Sequence, residues 1–342
     1  MSTGLEVLDE HFEVAAAPSF SAAELCSAVA QFRRTAYVVR EAGEGRIGVA
    51  FGNARVNGSA QNGDGEQLAC LGVLPALYPE WLGDRAFLEA HGLRFPYVAG
   101  AMARGIGSEE IVIAMARAGM LGFFGAGGLS LERVEQALTR FRSELGERLP
   151  WGCNLIHSPQ EPDLENRLVD LLLRLEVRRV SASAFMALTP AVVHYAFAGV
   201  TRAPNGRVER RNHVFAKISR PEVARHFMSP PPAALLNGLV QQGLLSPDEA
   251  DLARSLPVAE DIIVESDSGG HTDNRPLGAL FPTIAQLRNE LTAQYGYVRP
   301  IRIGASGGLG TPDAVAAAFS PVSYTHLRAH ETTASIAYDV IC

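Results

Sequence analysis

The sequence predicts an α/β chain built on a (β/α)8 TIM barrel that lacks strand eight as written. A small N-terminal α+β domain precedes the barrel, and a helical insertion interrupts it. Three observations lead there. From residue 95 onward, seven short apolar runs alternate with mostly helix-length segments, the rhythm of parallel strands joined by right-handed crossovers. The runs are apolar throughout rather than alternating, as strands buried on both faces must be. Glycine-rich loops follow several of them, at the positions where barrels place ligands. A doubly wound open sheet shares the first two features, but the number of βα repeats over this length favours the barrel.

The front of the chain, residues 1–90, has a different texture. Thr35–Arg40 and Arg46–Phe51 read as two strands joined by a Glu-Ala-Gly-Glu-Gly turn, followed by a Gly- and Asn-rich loop over 53–66. Leu71–Trp81 is apolar but carries two prolines, so it is expected as an extended strap rather than a regular helix. The barrel spans 91–320. Its first strand is Tyr97–Met102. A helix follows, capped by Ser108, carrying acids in its first turn and ending at Gly119. Met120–Phe124 is the second strand, and Ser130 opens a helix reaching about Leu145. Pro150–Ile156, Arg179–Phe185, Val214–Ser219, Asp261–Glu265 and Ile301–Ala305 complete the seven, with a helix over 161–175 between the third and fourth. Between the fifth and sixth, residues 221–257 hold at least two helices. One is announced by Ser246-Pro-Asp-Glu, an N-cap followed by proline and acids. This connection is longer than a βα loop needs and is expected to be a lid or a partner surface.

Composition narrows the function classes. The chain has 342 residues, 47% of them hydrophobic, enough for one large core. A net charge of −7 and the lack of any long basic run argue against nucleic-acid binding and a polybasic membrane anchor. No apolar stretch reaches the roughly 18 residues that span a bilayer, so no membrane span is expected. Cys26, Cys70, Cys153 and Cys342 are scattered with no CxxC pair, which suits a cytoplasmic protein without disulfides or a zinc ribbon.

The chemistry concentrates at strand ends. Asp267-Ser268-Gly269-Gly270-His271-Thr272-Asp273 follows the sixth strand. Paired glycines let backbone approach a flat ligand, and they expose the imidazole of His271, the candidate catalytic group. Two ligands spaced like His271 and Asp273 lack a third, so no metal is expected. After the seventh strand, Gly304-Ala305-Ser306-Gly307-Gly308 leads into a helix at Thr311-Pro312; Ser306, Gly307 and Gly308 offer backbone N–H groups to a phosphate. Gly100, Ala101 and Met102 are small enough for a ring system to lie on backbone. Asn154 is expected to end the third strand with its amide toward a ligand oxygen, and Lys217 to bring a cation to the mouth. Gly125–Ser130 reads as a tight βα turn, with lining of the ligand pocket as the lesser alternative.

These residues resemble the PfaD family, the stand-alone enoyl reductases of polyunsaturated fatty acid and trans-acyltransferase polyketide synthases, a branch of the nitronate monooxygenase-like flavin barrels. The likeness rests on Leu71–Asp84, Phe95–Met102, Val214–Glu222, Asp267–Pro276 and Gly304–Pro312, and covers roughly residues 5–320. It implies FMN as cofactor, held by the residues above, and NADPH as hydride source. Lys217 would then stabilise charge on the flavin and His271 would act beside it. The implied substrate is an enoyl thioester on acyl carrier protein within a fatty acid or polyketide synthase complex. A nitronate monooxygenase or a non-catalytic synthase subunit would share much of this pattern. The sequence departs from the family at residues 321–342, where Pro321-Val-Ser-Tyr-Thr-His resembles translated adapter read-through. The tail is expected to be non-native and the eighth strand absent.

Overall fold

The computed structural model describes residues 13–14, 18–53, 60–61, 67–266, 273–307, 309, 311–319 and 327–329. The chain divides into two compact units, Met1–Trp81 and Leu82–Cys342. In the first, β1 (Glu13–Val14), α1 (Ala22–Val29), β2 (Ala36–Glu41), β3 (Ile47–Asn53), β4 (Ala60–Gln61) and β5 (Gln67–Leu74) form one helix and an antiparallel sheet of order β1-β3-β2-β5-β4. Ser21 and Glu24 close a capping box at the start of α1, each side chain accepting from the other's backbone N–H. Tyr37, Val39, Ala50 and Leu68 pack together beneath the sheet. Leu71–Leu74, expected as strap, belongs to β5 and pairs with β2; the prolines act only beyond it, at a short 3-10 turn, Pro79–Trp81.

The second unit opens with α2 (Arg85–His91), then β6 (Tyr97–Ala99), α3 (Glu109–Arg117), β7 (Leu121–Phe124), α4 (Leu131–Leu145), β8 (Gly152–Ile156), α5 (Pro162–Arg174), β9 (Arg179–Ser183) and α6 (Pro190–Phe197). A hairpin of β10 (Thr201–Arg202) and β11 (Val208–Glu209) leads into β12 (His213–Ile218). The insertion folds as α7 (Pro221–Met228), α8 (Ala233–Gln241) and α9 (Pro247–Ala253). The chain continues through β13 (Asp261–Glu265), α10 (Leu277–Tyr295), β14 (Arg302–Ser306), α11 (Pro312–Phe319) and β15 (Leu327–Ala329). Ser108, Ser130 and Ser246 cap α3, α4 and α9, each side chain accepting from the backbone N–H three residues on. No helix among the described residues is long and apolar enough to cross a membrane.

The barrel is parallel and closed, in the order β12-β13-β14-β15-β6-β7-β8-β9. The seven strands read from the sequence form the barrel wall, and the eighth place is taken by a short segment of the tail. Leu327–Ala329 occupies that place, pairing with Ala305 and Ser306 on one side and with Tyr97–Ala99 on the other. The physical reason lies in the backbone. Two open strand edges present rows of unpaired N–H and C=O groups, and any short extended segment satisfies them whatever its side chains. The sequence reading looked for an apolar run, and this strand has none.

Side chains alternate across each strand. Val180, Ala182, Ile262, Val264, Ile303 and Ala305 pack outward against the helices. Val98, Leu121, Phe123, Phe215 and Ile263 fill the interior, with Phe123 and Phe215 edge to face at 5.0 Å. By the same alternation, the inward side chains of β9, β12, β13 and β14 form three successive tiers along the strands, staggered between β12 and β13, where Phe215 pairs with Asp261. The lowest holds Arg179, His213, Asp261 and Arg302. The middle holds Ser181, Phe215, Ile263 and Gly304. The uppermost holds Ser183, Lys217, Glu265 and Ser306.

Candidate active site

The lowest layer is a sealed polar plug. Arg302 forks onto Asp261 through Nε at 2.6 Å and Nη2 at 2.8 Å, and His91 Nε2 lies 3.0 Å from the same carboxylate. Arg179 donates from Nε to His91 Nδ1 and from Nη2 to the His91 carbonyl. An imidazole that accepts at Nδ1 and donates at Nε2 is neutral, and burial holds the His91 pKa down at about 4 against the pull of Asp261. Asp261 is fully buried, yet the adjoining Arg302 and His91 keep it well below the usual carboxylate range. The nearby cleft lined by Arg142, Glu176, Arg178 and Arg179 has its cations engaged too: Glu176 pairs with Arg178 at 2.9 Å, with Arg142 at 3.6 Å and with Arg211. This end closes the barrel.

The opposite, C-terminal mouth keeps its polar groups differently. Asn154 is the middle residue of β8 rather than its end. It is buried, and its Nδ2 donates to the Ser181 carbonyl at 2.9 Å and to Ser183 Oγ at 3.2 Å. The oxygen Oδ1 remains on the side of Gly127, where an added Cβ would meet it at 3.5 Å. Lys217 reaches the mouth as one half of an ion pair. Its Nζ sits 2.6 Å from Glu265 Oε1, on the neighbouring strand, so the pair brings little net charge to the mouth. Ser306 and Ser181, both fully buried, have hydroxyls without a hydrogen-bond partner among the described residues.

Two further contacts bind the loops together. Ser266 Oγ donates to the carbonyls of Ser306 at 2.8 Å and Gly307 at 3.3 Å. Gly307 has φ +99 and lies so close that a Cβ would stand 2.5 Å from Ser266 Oγ; only glycine fits. Asp273 is held by Arg220 through two bonds of 2.8 Å and by Ser219 Oγ at 3.3 Å. Ser266 and Asp273 thus tie both ends of the 267–272 stretch to the mouth formed by β12 and β14. Ser268, Gly269, Gly270, His271 and Gly308 themselves lie outside the described residues. On the other side, Gly100, Ala101 and Met102 follow β6 directly. A Cβ at Gly125 would come within 1.6 Å of the Met102 carbonyl oxygen, so the loops after β6 and β7 interlock. The glycine loop, read chiefly as a plain turn, is therefore part of the mouth. Of the four described non-glycine residues with left-handed backbones, Arg104, Ala184 and Asn274 fall in loops after barrel strands, where such strain collects at working sites, and Glu176 follows α5.

The described structure therefore brings together Gly100, Ala101, Met102, Asn154, Lys217, Ser306 and Gly307 at one end of the barrel. Sequence reasoning missed Ser183, Glu265 and His157. Glu265 was legible as an interior position, because it is in phase with Asp261 and Ile263 on a five-residue strand. Among the described residues no group of three or more His, Cys, Asp or Glu is placed to hold a metal ion.

A closed parallel barrel with Asn154, the Lys217–Glu265 pair, Ser306 and the glycine loops at its C-terminal mouth defines the class of the protein: a (β/α)8 barrel. No family model matches the chain. The polyketide biosynthesis protein PksE of Bacillus subtilis is 47% identical over 247 residues, 72% of this chain and 32% of that protein. A component of the polyunsaturated fatty acid synthase of Thraustochytrium is 48% identical over 241 residues, 70% of this chain and 16% of that polypeptide. Among solved structures, the enoyl reductase domain of MlnA from the macrolactin biosynthesis cluster of Bacillus amyloliquefaciens superposes with a TM-score of 0.70. It is 39% identical, over 73% of this chain and 56% of that one. The chain is similar to these synthase proteins over about seven tenths of its own length, and it spans 32% or less of the length of these two curated relatives.

Proposed function

We propose that the chain is an FMN-dependent enoyl reductase that reduces enoyl thioesters on acyl carrier protein, within a cytoplasmic polyketide or polyunsaturated fatty acid synthase. The observation that carries this is the shared mouth. Asn154, Lys217–Glu265, Ser306 and Gly307 meet there, and both flanks of the His271 stretch are tied to it. The likeness to an enoyl reductase domain supports the reaction, and the names of the curated relatives support the setting.

The residues present fit a phosphorylated ring. The orphaned Ser306 hydroxyl sits beside glycine backbone, and a Cβ at Gly127 would meet nothing nearer than 3.5 Å, leaving space over Asn154. Gly100–Met102 would line the ring, Asn154 and Lys217 would bond its oxygens, and Ser306 with the glycines after it would take the phosphate. Bound FMN would supply hydride to the β-carbon of the thioester, with NADPH as the source. His271 would offer its proton or a hydrogen bond as charge gathers on the thioester oxygen. The α7–α9 insertion would help to dock the carrier protein. The test is to purify the protein, record absorbance at about 450 nm, reduce it anaerobically with NADPH, and add crotonyl-pantetheine. Bleaching by NADPH and recovery on thioester addition support the reading. A protein that takes up no flavin, or whose reduced flavin regains its colour with oxygen but not with the thioester and whose oxidised flavin is reduced by a nitronate, defeats it.

A further inference from the structure

A second imidazole stands at the same mouth with its orientation built in. His157 directly follows β8, and its backbone N–H donates to the Ser183 carbonyl at 3.0 Å. The hydroxyl of that same serine accepts from Asn154, so His157 is two hydrogen bonds from the buried floor of the site. The ring stacks on Phe185, centroids 5.0 Å apart and planes at 25°. Its Nδ1 lies 2.9 Å from Glu165 Oε2. Glu165 Oε1 accepts from the Thr189 hydroxyl, which in turn accepts from the Val192 N–H.

For the neutral ring, the network selects the tautomer. Thr189 has one hydroxyl hydrogen and directs it to Glu165, so the carboxylate accepts on both oxygens and His157 carries its hydrogen on Nδ1. Nε2 then presents a lone pair, and no described residue occupies it. The burial is asymmetric: the Glu165 side chain is 3% exposed and that of His157 21%. A purely structural network would bury the ring and satisfy both nitrogens. Here the carboxylate is buried to aim an imidazole whose far edge faces the rim. The rim carries apolar surface as well, since Met186, next to Phe185, is 56% exposed. Asn154 marks the depth where the reacting double bond would lie, whereas a group at the rim meets whatever leads the acyl chain in.

We infer that His157 reads the arm of the acyl thioester, its Nε2 accepting a hydrogen bond from an amide N–H of a pantetheine-type arm. The inference rests on the enoyl-reductase reading and adds to it the recognition of the carrier's arm. Its test is His157→Asn, whose amide nitrogen keeps the bond to Glu165 and removes the outer acceptor. With crotonyl-pantetheine, KM should rise about fivefold, the worth of one neutral hydrogen bond, with kcat unchanged. With S-methyl crotonothioate, which has no amide, neither constant should move. Glu165→Gln should raise the same KM by freeing the ring. Independently, carbethoxylation of His157, mapped by peptide mass, should be slowed by crotonyl-pantetheine and not by the short thioester. An unchanged KM in His157→Asn, or equal labelling with and without the pantetheine thioester, overturns the inference while leaving the reductase reading intact. A wild-type protein that reduces neither thioester removes the reductase reading, and this inference with it.

Discussion

Replacing Lys217 by methionine isolates the electrostatics of the mouth. The ammonium lies 2.6 Å from Glu265, and the two side chains are 12% and 3% exposed. Methionine keeps most of the stem volume and takes away the ammonium beside the Glu265 carboxylate. Losing one partner of a buried pair costs about 3–5 kcal/mol. The pair sits in the uppermost interior layer rather than the core, so the lower figure applies, about 3 kcal/mol. The double variant Lys217→Met/Glu265→Leu removes both charges and should cost less than about 1 kcal/mol, since desolvation of the pair offsets most of its attraction. Urea unfolding of flavin-free protein, followed by far-ultraviolet circular dichroism, measures both. The double variant should nevertheless bind FMN about tenfold more weakly, having lost a charged donor. A single variant as stable as wild type, or a double variant as damaged as the single, would refute the claim that the pair is buried and mutually dependent.

Three other outcomes follow from the same geometry. His91 is held near pKa 4 in the fold against an ordinary 6.5, so the unfolded chain takes up a proton first as pH falls. Stability should drop by about 3 kcal/mol between pH 6.5 and 4, and His91→Gln should flatten that interval in urea titrations. Gly125→Ala drives a methyl into the Met102 carbonyl and should prevent recovery of folded barrel, whereas Gly127→Ala, with no contact below 3.5 Å, should fold normally; expression and melting curves distinguish them. Asn154→Ala removes two hydrogen bonds from a buried amide and should lower stability by about 2 kcal/mol, seen as a shifted urea midpoint.

The barrel was legible because its strands are buried on both faces: Leu121–Phe124 and Asp261–Glu265 are buried at every position, the first wholly apolar and the second with an Ile-Ile-Val centre between its two acids. Serine caps announced α3, α4 and α9 for a local reason that needs no tertiary context. The eighth strand was not legible, since three residues recruited by two open edges leave no hydrophobic signature. In the site, Asn154, Lys217 and Ser306 were found from residue type and strand position. What escaped was pairing. Glu265 neutralises Lys217 from an adjacent strand, Ser183 uses the amide of Asn154, and Glu165 orients His157 from a helix start. Each depends on register between segments distant in sequence, which no local pattern encodes.

Equilibrium titration with FMN, followed by quenching of flavin fluorescence, asks most directly whether the C-terminal mouth is the working end. Wild type and Arg142→Ala, altered in the cleft at the opposite end, should bind alike, and Asn154→Ala and Ser306→Val should bind at least about tenfold more weakly. Uniform binding across all four proteins, or weakening confined to Arg142→Ala, would contradict the assignment.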